Sequence, residues 1–157
     1  MSTITPCLWF DTNALEAAQF YVSMFKNSKL GKVSYYGDGA PLPKGTVLTV
    51  TFELDGQEFM GLNGGPMFKF TEATSFIVNC DSQAEIDNYW DKLTADGGQP
   101  VQCGWLKDKF GLSWQIVPKV ISKMLTDKDP AKTARVMGEV MKMIKPDIKS
   151  LEAAYNA

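Results

Sequence analysis

The chain has no histidine among its 157 residues. That absence removes the commonest transition-metal ligand, the usual general base near neutral pH, and every Ser-His or Cys-His nucleophile pair. Cysteine is scarce too. Cys7, Cys80 and Cys103 form an odd set without C-x-x-C spacing, which fits neither a disulfide framework nor a structural zinc site and points to a reducing, cytoplasmic setting. No apolar run approaches the roughly 18 residues of a membrane span. Met1-Ser2-Thr3-Ile4 has neither the basic start nor the apolar stretch of a signal peptide, so a soluble, unexported protein without a membrane partner is expected.

Net charge is only −2, and it is unevenly placed: residues 1–118 carry 8 basic and 13 acidic side chains, residues 119–157 carry 8 and 5. The tail lysines are interspersed with Asp127, Asp129, Glu139 and Asp147, the pattern of a solvated helix face and not of a nucleic-acid surface.

What the chain does have is a repeated order of elements. Ile4 to Phe10 reads as a strand ending at Asp11. Asn13-x-x-Glu16 is a capping-box pattern, and Leu15, Ala18, Val22 and Phe25 recur at helical spacing. Lys32–Tyr36 reads as a strand. Thr46–Leu54 alternates Leu48, Val50, Phe52 and Leu54 against Thr49, Thr51 and Glu53, and after Asp55-Gly56, a tight-hairpin pair, Gln57–Leu62 returns. The order βαβββ then recurs. Thr74–Cys80 is a strand, Ser82-x-x-Glu85 opens a helix with Ile86, Tyr89, Trp90 and Leu93, Gly97 and Gly98 end it, and strands follow over Gln99–Trp105 and Ser113–Val117. Asn13, Glu16, Phe20 and Tyr21 match Ser82, Glu85, Tyr89 and Trp90 at a constant offset of 69, the mark of a duplicated module. The expected class is α+β, with modules over 1–67 and 68–118 and a helical extension over 119–157. In that extension Asp129-Pro130 opens a helix carrying Ala134, Met137, Val140, Met141 and Ile144, which Pro146 ends. Its apolar face requires cover, either by closing over a pocket or against a second subunit.

Three stretches carry a family resemblance: Ile4-Thr5-Pro6-Cys7-Leu8-Trp9-Phe10, Glu16-Ala17-Ala18-Gln19-Phe20-Tyr21, and Phe110-Gly111-Leu112-Ser113-Trp114-Gln115-Ile116-Val117-Pro118. The chain resembles the PhnB-like proteins, often labelled demethylubiquinone methyltransferases, of the vicinal oxygen chelate superfamily that also holds glyoxalases and bleomycin-resistance proteins. The tail, with Arg135-Val136-Met137 and Asp147-Ile148-x-x-Leu151-Glu152-Ala153-Ala154-Tyr155, is similar to a helical extension common in that family. Departures fall at Lys109 and around Cys103-Gly104-Trp105-Leu106.

The resemblance implies curved mixed sheets around a pocket, with His, Glu or Gln at four inward positions in metal-dependent members. Here those positions fall at Pro6 or Thr5, at Met60, at Thr74 or Ser75, and at Gln115. Only Gln115 is a plausible ligand, so no metal is expected. No glycine-rich turn runs from a strand into a helix, so the methyltransferase label has no cofactor motif behind it and no cofactor is expected.

Strand alternation directs Thr49, Thr51, Met60 and Gln115 to the side where the superfamily binds its ligands, with Trp9 and Trp105 the best candidates to stack on a planar compound. Glu53 is the candidate general base, if burial raises its pKa. The expected function is metal-free binding of a small aromatic or hydrophobic molecule by a homodimer. The alternative is a metal-independent enzyme acting on a small organic substrate.

Overall fold

A computed structural model of the chain describes residues 2–157. Two compact units divide it, residues 1–70 and 71–157.

In the first unit β1 (Cys7–Phe10), α1 (Ala14–Met24), β2 (Lys29–Tyr35), β3 (Val47–Leu54) and β4 (Gln57–Asn63) follow in order. The sheet order is β1-β4-β3-β2, with β1 parallel to β4 and the other pairs antiparallel. Alternation along β3 and β4 sends Val50, Phe52, Leu54 and Phe59 into the core, where Phe52 and Phe59 stack with ring centres 5.4 Å apart. The buried face of α1 is Ala14, Ala17, Ala18, Tyr21 and Met24. It lies one residue out of step with the expected Leu15, Ala18, Val22 and Phe25, of which only Ala18 is fully buried. Close approach explains the shift. A Cβ on Gly61 would lie 3.3 Å from the Ala14 Cβ and 3.1 Å from Val50 Cγ1, so small residues must face the sheet there.

The helix N-terminus also differs from expectation. Asn13 stands at the N-cap position but its side chain makes no capping bond. Asn63, at the end of β4 and 1% exposed, supplies it: its Oδ1 accepts from Ala14 N at 2.8 Å, its Nδ2 donates to Val47 O at 3.0 Å, and its carbonyl accepts from Tyr36 Oη at 2.6 Å. One amide thus satisfies an orphan helix donor and ties it to the sheet.

In the second unit the elements are β5 (Ser75–Cys80), α2 (Gln83–Thr94), β6 (Gln99–Pro100), β7 (Trp105–Lys107) and β8 (Ser113–Pro118), then α3 (Val120–Leu125), α4 (Pro130–Val140) and α5 (Ile148–Asn156). The order β5-β8-β7-β6 repeats that of the first sheet. Here the expected cap forms in part: Ser82 Oγ accepts from Glu85 N, while Glu85 Oε2 reaches past the N-cap residue to accept from Asp81 N. The expected strand over Gln99–Trp105 is interrupted. Only Gln99 and Pro100 pair, a 3-10 turn occupies Gln102–Gly104, and Cys103 adopts φ 61°. The turn is held from outside, since Cys103 N and Gly104 N donate to the carbonyls of Met143 and Ile144. Those bonds belong to the helical extension, and they replace the ladder bonds a longer β6 would have made.

The extension docks on its own unit. Met124, Val136 and Leu151 form its buried centre. Gln83 of α2 donates to Pro146 O and accepts from Ile148 N, and Lys145 pairs with Asp87 at 2.8 Å. The long helix expected to run on to Pro146 stops at Val140, and Val136 is the residue α4 buries. Met137, Met141 and Ile144 remain exposed. The β7–β8 hairpin turns around Asp108, 2% exposed, whose carboxylate accepts from Phe110 N, Leu112 N and Trp114 Nε1 at 2.9–3.0 Å. These bonds fix the register that sets Trp105 opposite Gln115.

Replacing Asn63 by Ala should lower stability by about 2–3 kcal/mol, because two buried backbone groups lose their partners. Asn13→Ala should change it by less than about 0.5 kcal/mol, and Ser82→Ala should cost about 1 kcal/mol. Urea unfolding of the three variants checks the order. Equal losses for Asn63→Ala and Asn13→Ala would refute the assignment.

Candidate functional site

Each sheet has a face turned away from its helix, and the expected site residues lie there. In the first unit the register aligns them into rows across the strands. Trp9, Leu62, Thr49 and Ser34 form one row, Cys7, Met60 and Thr51 the next, and Glu58, Glu53 and Lys29 the third. The face therefore grades from aromatic and apolar to charged.

Trp9 is half-buried and fixed in direction. Its Nε1 donates to Gly65 O at 2.9 Å and Phe68 meets its ring edge-on at 4.9 Å. Gly64 lies so close that a Cβ there would stand 2.3–2.5 Å from the indole. Gly64 is thus a packing glycine, and the Gly64-Gly65 pair serves the tryptophan, with no helix following to hold a phosphate or nucleotide. The hydroxyls are engaged in the sheet: Thr49 Oγ1 meets Ser34 Oγ at 2.5 Å, and Thr51 Oγ1 accepts from Lys32 N at 2.8 Å. Met60 stands between them and Cys7. Glu53, its side chain 38% exposed, forms an ion pair with Lys29 at 3.7 Å.

In the second unit Trp105 lies opposite Gln115, and Gln115 opposite Ile77. Gln115 Nε2 donates to Ser75 Oγ at 2.9 Å. Of the two alternatives for this strand, Ser75 stands beside Gln115 and Thr74 lies before β5. Ser75, Ser113 and Lys107 form the adjoining row. Ser113 and Lys107 escaped notice in the sequence, although Ser113 is two residues from Gln115 and so on the same face.

The donor set does not suit a divalent metal. On the first face Met60 offers only a thioether, and on the second the Gln115 amide and the Ser75 hydroxyl are bonded to each other and bring no anionic or imidazole donor. Among the described residues no group of three His, Cys, Asp or Glu side chains is placed to hold one.

The fold of two βαβββ units is that of the vicinal oxygen chelate superfamily, to which glyoxalase-like and fosfomycin-resistance proteins belong. The model of a family described as 3-demethylubiquinone-9 3-methyltransferase matches residues 2–117, and the chain belongs to that PhnB-like family. A PhnB protein from Bacillus cereus is 37% identical with a TM-score of 0.68, over 74% of this chain and 99% of that one. Protein PA1353 from Pseudomonas aeruginosa is 22% identical (TM-score 0.61, 75% and 98% covered), and the fosfomycin resistance protein FosX from Listeria monocytogenes 13% (0.57, 80% and 98%). No curated protein sequence matches the chain. The family match ends at residue 117, before the helical extension.

Cys80 and Cys7 are poor nucleophiles. Burial, then the nearby Glu85 and Asp81 carboxylates, push Cys80 up to about 11, and burial also raises Cys7. The folded Cys80 thiol keeps its proton to about 11, whereas an unfolded one releases it near 9.0. Stability from this group is therefore full below pH 9 and falls as pH rises toward 11. A urea-midpoint series from pH 8 to 10.5 should decline less steeply in Cys80→Ala than in the parent. Parallel declines would refute the assignment.

Proposed function

We propose that the chain binds small aromatic or apolar organic molecules without a metal, through the face carrying Trp9, Thr49, Thr51 and Met60 in the first unit and, independently, the face carrying Trp105 and Gln115 in the second. The observation that carries the reading is the half-buried tryptophan of each face, backed by apolar neighbours and flanked by polar groups that fix orientation. The thioether of Met60 on one face, and the Gln115–Ser75 hydrogen bond on the other, support metal-free binding on each. A metal-independent enzyme using Glu53 is the second reading. The Lys29 ion pair weighs against it, because it engages the carboxylate that would have to meet the substrate.

We also take the protein to be a cytoplasmic homodimer. Three free cysteines support the reducing compartment, and exposed Met137, Met141 and Ile144 supply apolar surface for a second copy. No helix among the described residues is long and apolar enough to cross a membrane.

Elemental analysis of the purified protein, with thermal melts against divalent metals and an aromatic panel, tests the reading. Aromatic compounds at about a hundred times their Kd should add about 2.7 kcal/mol of stability. Trp9→Ala and Trp105→Ala should each weaken binding by roughly tenfold, or about 1.4 kcal/mol. Stoichiometric metal that raises Tm would overturn it.

A further inference from the structure

We infer that the second sheet carries a carboxylate subsite formed by Ser113, Ser75 and Lys107, with Glu72 standing in for the ligand in the free protein. This rests on the small-molecule reading above and narrows the ligand to an aromatic acid.

Ser113 begins β8 and is 1% exposed. Its Oγ is the one buried side-chain polar atom among the described residues that lacks a hydrogen-bond partner. Buried hydroxyls are almost always bonded, so an orphan calls for an explanation. The neighbours on its row supply one. Ser75 pairs with Ser113 in the parallel ladder and Lys107 pairs with it in the antiparallel one. Ser75 Oγ accepts from Gln115, which leaves its own proton free to donate. Lys107 Nζ is bound to Glu72, with the two side chains 37% and 59% exposed.

That ion pair links the two strands that flank the orphan's strand. β8 lies between β5 and β7, Glu72 precedes β5 by three residues, and Lys107 ends β7. The pair therefore joins the end of β7 to the turn before β5, on either side of the strand that Ser113 begins. We take this pair as the removable cover of Ser113, because a half-exposed surface ion pair is weakly held and screened by salt.

A carboxylate replacing Glu72 on Lys107 meets three donors at once: the Lys107 ammonium, the Ser113 hydroxyl and the Ser75 hydroxyl. Two residues along the strands, about 6.6–6.8 Å away, the next row presents Trp105, Gln115 and the exposed Ile77. An acid one or two bonds from a ring reaches from the donors to the tryptophan. A neutral amide of the same shape brings its own donors to a donor-rich subsite and loses the charge.

Calorimetric titration of the full-length protein with phenylacetate and phenylacetamide tests this. Phenylacetate should bind about tenfold tighter than the amide. Glu72→Gln should strengthen phenylacetate severalfold and leave the amide unchanged, and Lys107→Met should abolish the preference. Ser113→Ala should weaken phenylacetate yet raise the Tm of the free protein by about 2–4 °C, since it removes an unbonded buried hydroxyl. A purely structural serine would shift Tm without altering discrimination between acid and amide. Equal affinity for both compounds overturns the subsite while sparing the small-molecule reading. Sulfate binding as tightly as phenylacetate overturns the aromatic-acid assignment. Failure of both compounds, and of the wider aromatic panel, sinks the two readings together.

Discussion

The period-two alternation of β3, β4 and β8 is the constraint on which the rest depends. Each side chain those strands send toward a helix commits its neighbour to the opposite face. Val50, Phe52 and Phe59 in one unit, and Leu106, Trp114 and Ile116 in the other, are among the largest buried groups and fix the parity of each strand. Once Phe52 stacks on Phe59, Thr51 and Met60 must meet on the other side, and once Trp114 packs inward, Ser113 and Gln115 must face out. A slip of one residue would bury Glu53 and Glu58 and expose the aromatic core. Core and candidate site are two consequences of the same register.

The two modules reach similar topology by different local means. In the first unit Asn63 reaches from a strand to cap the helix, so the helix start depends on a tertiary contact. In the second, Ser82 and Glu85 cap α2 within its own sequence. The second module has in turn given up most of its first hairpin strand. The turn at Gln102–Gly104 is held by carbonyls of Met143 and Ile144, so the extension completes a module that its own strands leave short. Gly104 fits there because its φ is +84° and a Cβ would lie 2.8 Å from Ile116 O.

Much of this was legible in the chain itself. Alternating Leu48, Val50, Phe52 and Leu54, the Asp55-Gly56 turn, and Ser82-x-x-Glu85 are local signals that the fold respects. The candidate residues could be assigned to faces because parity needs only spacing. What went astray involved long-range partners. The buried face of α1 shifted by one residue because Gly61 admits only a small side chain opposite it, and the break after Pro100 arises from a contact made some forty residues later. Neither leaves a trace in local periodicity.

The sequence alone determined the repeated βαβββ order, the faces on which Thr49, Thr51, Met60 and Gln115 lie, and the exclusion of histidine chemistry, because residue type and spacing act over a few residues. Tertiary structure alone decided that Asn63 caps α1, that Glu53 is held by Lys29, and that Ser113, paired with Lys107 in the ladder, is a buried hydroxyl without a partner. Those outcomes depend on which strands become neighbours. Hydrogen bonding and desolvation act through space, and distance in space is not written in distance along the chain.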